Sequence, residues 1–388
     1  MMMMRPVRST RREILGSASL LLGAPLLGAE PVAEPEDLGA RVARLVAKRV
    51  GDGECPGAVV VVGRRDEILL HEAYHLRSVL PTKVPMTKNS IFDLASLTKP
   101  VAAATAVFLL REAGRLRLSD PVARHLPGYG VNGKSRITIE QMLLHSSGLV
   151  ADNPIADYRA GAGKAWENLW NLTPVRRPGT RFVYSDVGYQ VLGKVVERLS
   201  GQPLDQFTQE KIFTPLGMTD CGYRPAKELR HRMVPTEKRN GQWVLGEVHD
   251  PRAYAVGGVS GHAGLFATGQ DLALYAQMIL RRGTAANGAR ILAPATVAEL
   301  GKARSLPGQV RRTAGFDVWS HLSTNRSPSY SASAFGHGGF TGTALWIDPV
   351  RNLFVILLAS RLHPDGRGTV NTLAAEIGTA AVASLGKP

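Results

Sequence analysis

Phe92-Asp93-Leu94-Ala95-Ser96-Leu97-Thr98-Lys99-Pro100, followed by the apolar run from Val101 to Leu110, sets a serine at a helix entrance and a lysine three residues later. Residues three apart on a helix share a face about a turn apart, so the Ser96 hydroxyl and the Lys99 amine can touch. A serine hydroxyl is a poor nucleophile until a base takes its proton, and Lys99 is placed to take it if its neighbours lower its pKa. Ser96 also lies where helix N–H groups point free, a setting that favours an oxyanion beside it. Pro100 costs little there, because first-turn amides have no intrahelical partner to lose. Together these features point to acyl transfer. The same spacing also suits an N-capping serine followed by a solvated lysine, so the pattern takes its meaning from what accompanies it.

Two further segments accompany it. Tyr184-Ser185-Asp186 follows the turn Arg177-Pro178-Gly179 and opens a helix with apolar positions Val187, Val191, Leu192, Val195, Val196 and Leu199, ended by Gly201. His337-Gly338-Gly339-Phe340-Thr341-Gly342-Thr343 precedes two strand-like runs, Ala344 to Asp348 and Leu353 to Ser360. With Ser96 and Lys99 these segments resemble the S-x-x-K, Y-x-N and K-T-G elements of the penicillin-recognising serine enzymes, in particular their class C β-lactamase-related branch. Supporting phrases are Pro56-Gly57-Ala58-Val59-Val60, Leu143-Leu144-His145-Ser146-Ser147-Gly148-Leu149, Pro215-Leu216-Gly217-Met218 and Gly261-His262-Ala263-Gly264-Leu265-Phe266-Ala267-Thr268, and the resemblance spans about residues 40 to 385.

The resemblance implies roles for matching positions. Ser96 would be the acylated nucleophile, Lys99 the general base or the group holding that proton, and Tyr184 the phenol that shuttles the proton to the leaving group. The oxyanion donors would be the backbone N–H groups of Ser96 and Phe340. Gly338 and Gly339 would let a substrate lie close along that strand. No cofactor is implied.

Two positions depart from the family pattern. The asparagine of the second element is Asp186, whose carboxylate accepts hydrogen bonds but cannot donate to a substrate carbonyl. The lysine of the third is His337, largely neutral near pH 7 unless a neighbour raises its pKa. Both changes loosen the grip on a β-lactam. If His337 titrates, its protonation would tune affinity for anionic substrates. Related esterases and peptidases of this branch also carry a histidine there, so the hydrolytic machinery is expected to survive.

Other patterns carry less. Gly128-Tyr129-Gly130-Val131-Asn132-Gly133-Lys134-Ser135 satisfies G-x-x-x-x-G-K-S, yet it follows Asp120-Pro121 to Pro127 and precedes only a short Ile137-Thr138-Ile139, not the strand and long helix of a phosphate loop. Gly258-Val259-Ser260-Gly261-His262 lacks the last glycine of G-x-S-x-G, against an α/β-hydrolase nucleophile elbow. His249-Asp250 and His262 show no paired-ligand spacing, so no metal is expected. His262 reads as a satisfied loop histidine and His145 as structural. Cys55 and Cys221 give no sign of pairing.

The chain has 388 residues, long enough to bury a large core, and a net charge of +15. Arg5, Arg8, Arg11 and Arg12 precede an apolar stretch from Ile14 to Ala29, the layout of a signal peptide, and Thr10-Arg11-Arg12-Glu13-Ile14-Leu15 looks like a twin-arginine export signal. Export to the periplasm or outside the cell is therefore expected. The basic surface favours anionic wall polymers or lipid heads as peripheral neighbours. Scattered arginines without an aromatic-interleaved basic motif argue against nucleic acid. The substrate class would be a small molecule or a peptidoglycan fragment; nothing bears on oligomeric state.

Amphipathic periodicity predicts a helix over about 37 to 49, a hairpin over 58 to 63 and 68 to 74, mainly helices from 96 to 300, strands from 316 to 358 and a last helix over about 369 to 385. For this order the resemblance implies the class α/β (α+β), an antiparallel sheet of early and late strands flanked by helices, with an inserted mainly helical domain. Its expected organisation is a signal peptide over 1–29, a linker over 30–36, an α/β domain over 37–95 and 301–388, and a helical domain over 96–300.

Overall fold

Strand Gly57–Gly63 (β1), GAVVVVG, and strand Leu353–Ala359 (β9), LFVILLA, are apolar at almost every position and fully buried. A strand covered on both faces reads this way, because its alternating side chains all meet protein. The two pair antiparallel from Ala58 opposite Ala359 to Gly63 opposite Phe354. They form the middle of an antiparallel sheet that is nine-stranded among the described residues. The computed structural model describes residues 37–386, and the expected signal peptide and linker lie outside them.

The remaining strands are Ile68–Ser78 (β2), Val84–Pro85 (β3), Arg304–Leu306 (β4), Val310–Arg312 (β5), Asp317–Trp319 (β6), Phe335–Gly339 (β7) and Thr343–Asp348 (β8). The spatial order is β3-β2-β1-β9-β8-β7-β6-β5-β4. The expected hairpin is β1 with β2, in register from Gly57 opposite His75. Strands from the start and end of the chain therefore share one antiparallel sheet, as the resemblance implies.

Alternation sorts the sheet's side chains into two apolar layers. Ala58, Val60, Val62, Val355, Leu357 and Trp346 pack with Val42 and Val46 of helix Leu38–Gly51 (α1) and with Leu373 and Ile377 of helix Asn371–Ser384 (α5). Asp37 caps α1 by accepting from Ala40 N at 3.1 Å, and Arg49 in its last turn reaches Glu376 of α5 at 2.9 Å. The other face carries Val59, Val61, Leu345, Ile356 and Leu358 into a larger cluster with helices Thr105–Glu112 (α2), Asp186–Ser200 (α3) and Gly269–Leu280 (α4).

The helix expected over Leu97 to Ala113 is not uniform. It begins as a 3₁₀ turn at Ala95–Leu97, widens to a π-helical turn at Lys99–Ala104 and only then becomes α2. Pro100 supplies no N–H, and the Pro100 carbonyl instead accepts from Thr105 Oγ1 at 2.9 Å. Strands Phe92–Asp93, Leu265–Ala267 and Gly222–Tyr223 form a small second sheet that locks the chain just before Ser96.

Candidate active site

Four elements converge on Ser96. The residue before it, Ala95, has φ +45°, a left-handed conformation that costs a β-carbon-bearing residue about 1–2 kcal/mol. Surrounding bonds hold it there. Asp93, buried, accepts from Ala95 N at 2.8 Å and from His249 N at 2.6 Å. Thr341 Oγ1 donates to the Asp93 carbonyl at 2.7 Å and Thr343 Oγ1 to the Leu94 carbonyl at 3.1 Å. The β7–β8 turn thus clamps the Ser96 turn.

That clamp also gives Gly338 and Gly339 a structural reason. A Cβ on Gly339 would lie 2.1 Å from Thr343 Oγ1 and 2.4 Å from the Leu94 carbonyl oxygen, and one on Gly338 would lie 2.5 Å from Asn325 Nδ2. These glycines admit the protein's own chain, and both also line a cavity beside Tyr184. Phe340, next along, has an exposed ring stacked on His249 at 5.3 Å, with the Arg361 guanidinium 4.1 Å from its centroid and Arg361 Nε donating to its carbonyl at 2.7 Å.

Lys99 is fully buried. Its ammonium lies 2.9 Å from Ser96 Oγ, 3.2 Å from the His262 carbonyl and 2.6 Å from Asp186 Oδ1. The ammonium thus donates to Ser96 Oγ and the His262 carbonyl and is ion-paired with Asp186. Burial alone would lower its pKa, but the Asp186 carboxylate and the Tyr184 hydroxyl outweigh it and raise it. The expectation that neighbours lower Lys99 is therefore reversed, and the amine rests charged. Asp186 is the counter-ion of Lys99.

Tyr184 is buried beside Lys99 and Ser96, and desolvation raises its phenol above the ordinary value despite the nearby ammonium. The Lys99 Nζ is 4.8 Å from its ring centroid. His145 stacks on the ring with centroids 4.4 Å apart and 29° between planes, and its Nδ1 accepts from Ser185 N at 2.9 Å. Ser185 caps α3 by accepting from Gly188 N at 3.2 Å, which fixes the Tyr184-Ser185-Asp186 entry to the helix. His145 is thus structural, as read from sequence, but what it supports is Tyr184.

His262 gives Lys99 its carbonyl while its ring bridges Ser260 Oγ at 2.8 Å and Asp250 Oδ1 at 2.9 Å. Its loop is seated on α3 at Gly261, where a Cβ would lie 2.1 Å from the Tyr189 carbonyl oxygen. Asp186, Asp250 and His262 bring ligand-type atoms within 4.8 Å of one another. Those atoms are engaged with each other and with the Lys99 ammonium, a donor set that a further cation would have to break.

His337 lies on β7 with its ring centroid 5.9 Å from that of Tyr184 and its Nδ1 2.7 Å from the Gly338 carbonyl. A ring nitrogen facing a carbonyl must donate, which fixes the tautomer. Burial, then Arg312, then Lys99 push its pKa well below the ordinary histidine value. His337 is thus neutral at pH 7, as the sequence suggests, and the condition under which its protonation would tune anion affinity is not met. Arg312 on β5 escaped the sequence reading, because an arginine in an Arg-rich chain reads as solvated surface.

The Asp186–Lys99 pair has a signed consequence for stability. With its folded pKa raised, Lys99 stabilises the fold fully below the unfolded value of about 10.4, and that contribution is lost as pH rises through the folded value. Asp186→Asn leaves burial dominant, so the folded pKa drops below the unfolded one. The variant is expected to lose on the order of 3 kcal/mol at pH 7. The deficit should narrow as pH rises toward 10, where the buried amine sheds its proton. Urea melts of both proteins at pH 7 and 9.5 read it; a deficit that stays flat or widens contradicts the pairing.

A family model described as Beta-lactamase matches residues 42–379. The chain is 29% identical over 375 residues to a protein of Escherichia coli (strain K12) provisionally named a D-alanyl-D-alanine carboxypeptidase, covering 85% of each chain. It is 31% identical over 364 residues to an N-acetylmuramyl-L-alanine amidase of Bacillus subtilis (strain 168), covering 83% of this chain and 81% of that one. A penicillin-binding protein homologue from Caulobacter crescentus superposes with a TM-score of 0.72 at 22% identity, over 90% of this chain and 98% of the other.

Proposed function

The chain belongs to the beta-lactamase family of hydrolases, and on that premise we propose that it cleaves an ester or amide through an acyl-Ser96 intermediate. The observation that carries the proposal is the Lys99 ammonium donating to Ser96 Oγ at 2.9 Å with the Tyr184 ring centroid 4.8 Å from the same nitrogen. As a donor to Ser96 Oγ, Lys99 orients the hydroxyl so that the serine proton goes to the Tyr184 oxygen. As Ser96 Oγ bonds to the scissile carbonyl carbon, Tyr184 takes that proton and passes its own to the departing nitrogen or oxygen. The charge of Lys99 steadies the phenolate character that develops, and Asp186 keeps Lys99 charged. The N–H groups of Ser96 and Phe340 receive the carbonyl oxygen as it gains charge. Water then repeats the steps to free the acyl group. Lys99 is the electrostatic partner of the relay and Tyr184 its proton carrier.

The preferred substrates are D-alanyl-D-alanine peptides or related esters, with the protein exported to the periplasm or cell exterior and acting beside wall polymer. Support comes from the name of the Escherichia coli relative and from the N-terminal arginine-plus-apolar segment. A class C-type β-lactamase, or a penicillin-binding module that acylates without turnover, is the alternative. The Bacillus relative's name favours a different bond, between N-acetylmuramyl and L-alanine. One purified sample offered a D-alanyl-D-alanine peptide, an N-acetylmuramyl peptide, a chromogenic ester and a cephalosporin separates these. Release of D-alanine with steady ester turnover is expected; one stoichiometric burst indicates a trapping module, and no acylation by any of the four refutes the hydrolase reading.

A further inference from the structure

His249 has no part in the proton relay, yet this one residue reaches both donors assigned to the carbonyl oxygen. Its backbone N–H donates to Asp93 Oδ2 at 2.6 Å, and the other oxygen of Asp93 accepts from Ala95 N at 2.8 Å, the amide just before Ser96. Its ring lies nearly parallel to that of Phe340, with 14° between planes and centroids 5.3 Å apart. The backbone of His249 thus bears on the turn that carries the Ser96 N–H, and its side chain on the residue that carries the other N–H.

The Phe340 ring is 58% exposed, so little core packing fixes it. Thr341 and Thr343 anchor the turn beyond it, and Arg361 meets its carbonyl and its ring. His249 supplies the flat surface against that ring, and the imidazole is itself held. Its Nδ1 lies 2.9 Å from Glu237 Oε2, and Arg239 Nη2 donates to its carbonyl at 3.0 Å. The charged groups around the imidazole are Glu237, Asp93 and Asp250, with Arg239 at its carbonyl and Arg361 at the Phe340 ring it stacks on. Burial lowers its pKa, but Glu237, followed by Asp93 and Asp250, outweighs burial and raises it above the ordinary histidine value. A cation over an aromatic face is attracted by the ring quadrupole, so the protonated imidazole holds Phe340 more firmly than the neutral one.

We propose that His249, paired with Glu237, is a positioning residue that aligns the N–H groups of Ser96 and Phe340 on the carbonyl oxygen as it gains charge. The inference rests on the acyl-Ser96 reading and adds the group that sets its oxyanion geometry and its response to pH. Alignment on developing charge acts on the rate of the chemical step more than on substrate binding. Because the holding form is the imidazolium, acylation slows as pH rises through the His249 pKa.

The test is stopped-flow acylation by a p-nitrophenyl ester from about pH 5 to 9. The wild-type rate is expected to fall along a one-proton limb, and Glu237→Gln should move that limb about one unit lower. His249→Phe keeps a ring against Phe340 without the charge; it should lower the maximal acylation rate about tenfold, leave the half-saturating ester concentration little changed and abolish the limb. His249→Ala removes the ring as well and should cost about 100-fold. A wild type without the limb, a limb that survives His249→Phe, or losses that fall on the half-saturating concentration overturn the positioning role. If the His249 variants do not fold, Glu237→Gln carries the test alone: a displaced limb supports the role and an unmoved one overturns it. Should the ester not acylate the wild type, the acyl-Ser96 reading fails separately. Amide hydrogen exchange at Gly342, whose N–H closes the Phe340 turn on the Gly339 carbonyl at 3.0 Å, then decides. Exchange faster by about threefold or more in His249→Phe than in the wild type at one pH supports the role, and unchanged exchange overturns it.

Discussion

Ser96→Ala is expected to abolish turnover, with kcat/KM for a chromogenic ester falling by about 10⁴-fold or more, and to remove covalent labelling by a fluorescent penicillin or a fluorophosphonate. The size of the effect follows from the geometry. Among the described residues Ser96 Oγ is the hydroxyl that meets the Lys99 ammonium, at 2.9 Å, and no other serine shares that contact. Ser260 lies in the same wall, but its hydroxyl bonds to His262 Nδ1 at 2.8 Å. Stability should change little, because alanine fits the turn and Lys99 keeps the His262 carbonyl and Asp186 as acceptors. Wild-type-like melting with no labelling is the expected pair of results. Labelling that persists on a well-folded variant would place the nucleophile elsewhere and undo the proton relay built around it.

How much of this could be read from sequence depended on how local each feature is. Ser96 and Lys99 were legible because their contact needs only one turn of helix. The β1–β2 hairpin and the strands β7 to β9 were legible because long β-branched runs have few other uses. Strands β4 and β5, Arg304-Ser305-Leu306 and Val310-Arg311-Arg312, were missed. They are three residues each and without apolar alternation, and β5 places a buried arginine where sequence suggests a solvated one. Gly338 and Gly339 were noticed, but only the folded chain reveals that Thr343, the Leu94 carbonyl and Asn325 fill the space a side chain would take.

The charge state of Lys99 was hidden for the same reason. Burial and ion pairing shift an amine in opposite directions, and which wins depends on a carboxylate 87 positions away in the chain arriving within 2.6 Å of the ammonium. The substitution of Asp186 for the family's asparagine thus looked like a lost substrate contact. In the fold it favours the charged amine, and the proposed mechanism therefore assigns the proton carrier's task to Tyr184. His337 follows the same logic in reverse: burial first, then Arg312 and Lys99, keep a histidine that stands in place of a lysine neutral.

Tyr184→Phe then separates this mechanism from one in which Lys99 is the base. Phenylalanine keeps the ring that stacks on His145 at 4.4 Å and removes only the hydroxyl beside Ser96 and Lys99. For an amide, whose nitrogen cannot leave without a proton, kcat is expected to fall by about 10³-fold with KM little altered. For a p-nitrophenyl ester the leaving oxygen needs no proton, so the loss should be roughly tenfold smaller in acylation. The phenol's two tasks, taking the Ser96 proton and delivering one to the leaving group, are thereby resolved by the choice of substrate. If Lys99 were the base and Tyr184 only a wall, both substrates would lose little, and Lys99→Ala would carry the whole effect. If Tyr184 only accepted the serine proton, both would lose alike. Stopped-flow acylation of the variant with the amide and the ester therefore measures the step on which the assignment of Lys99 as a cation and Tyr184 as the relay stands.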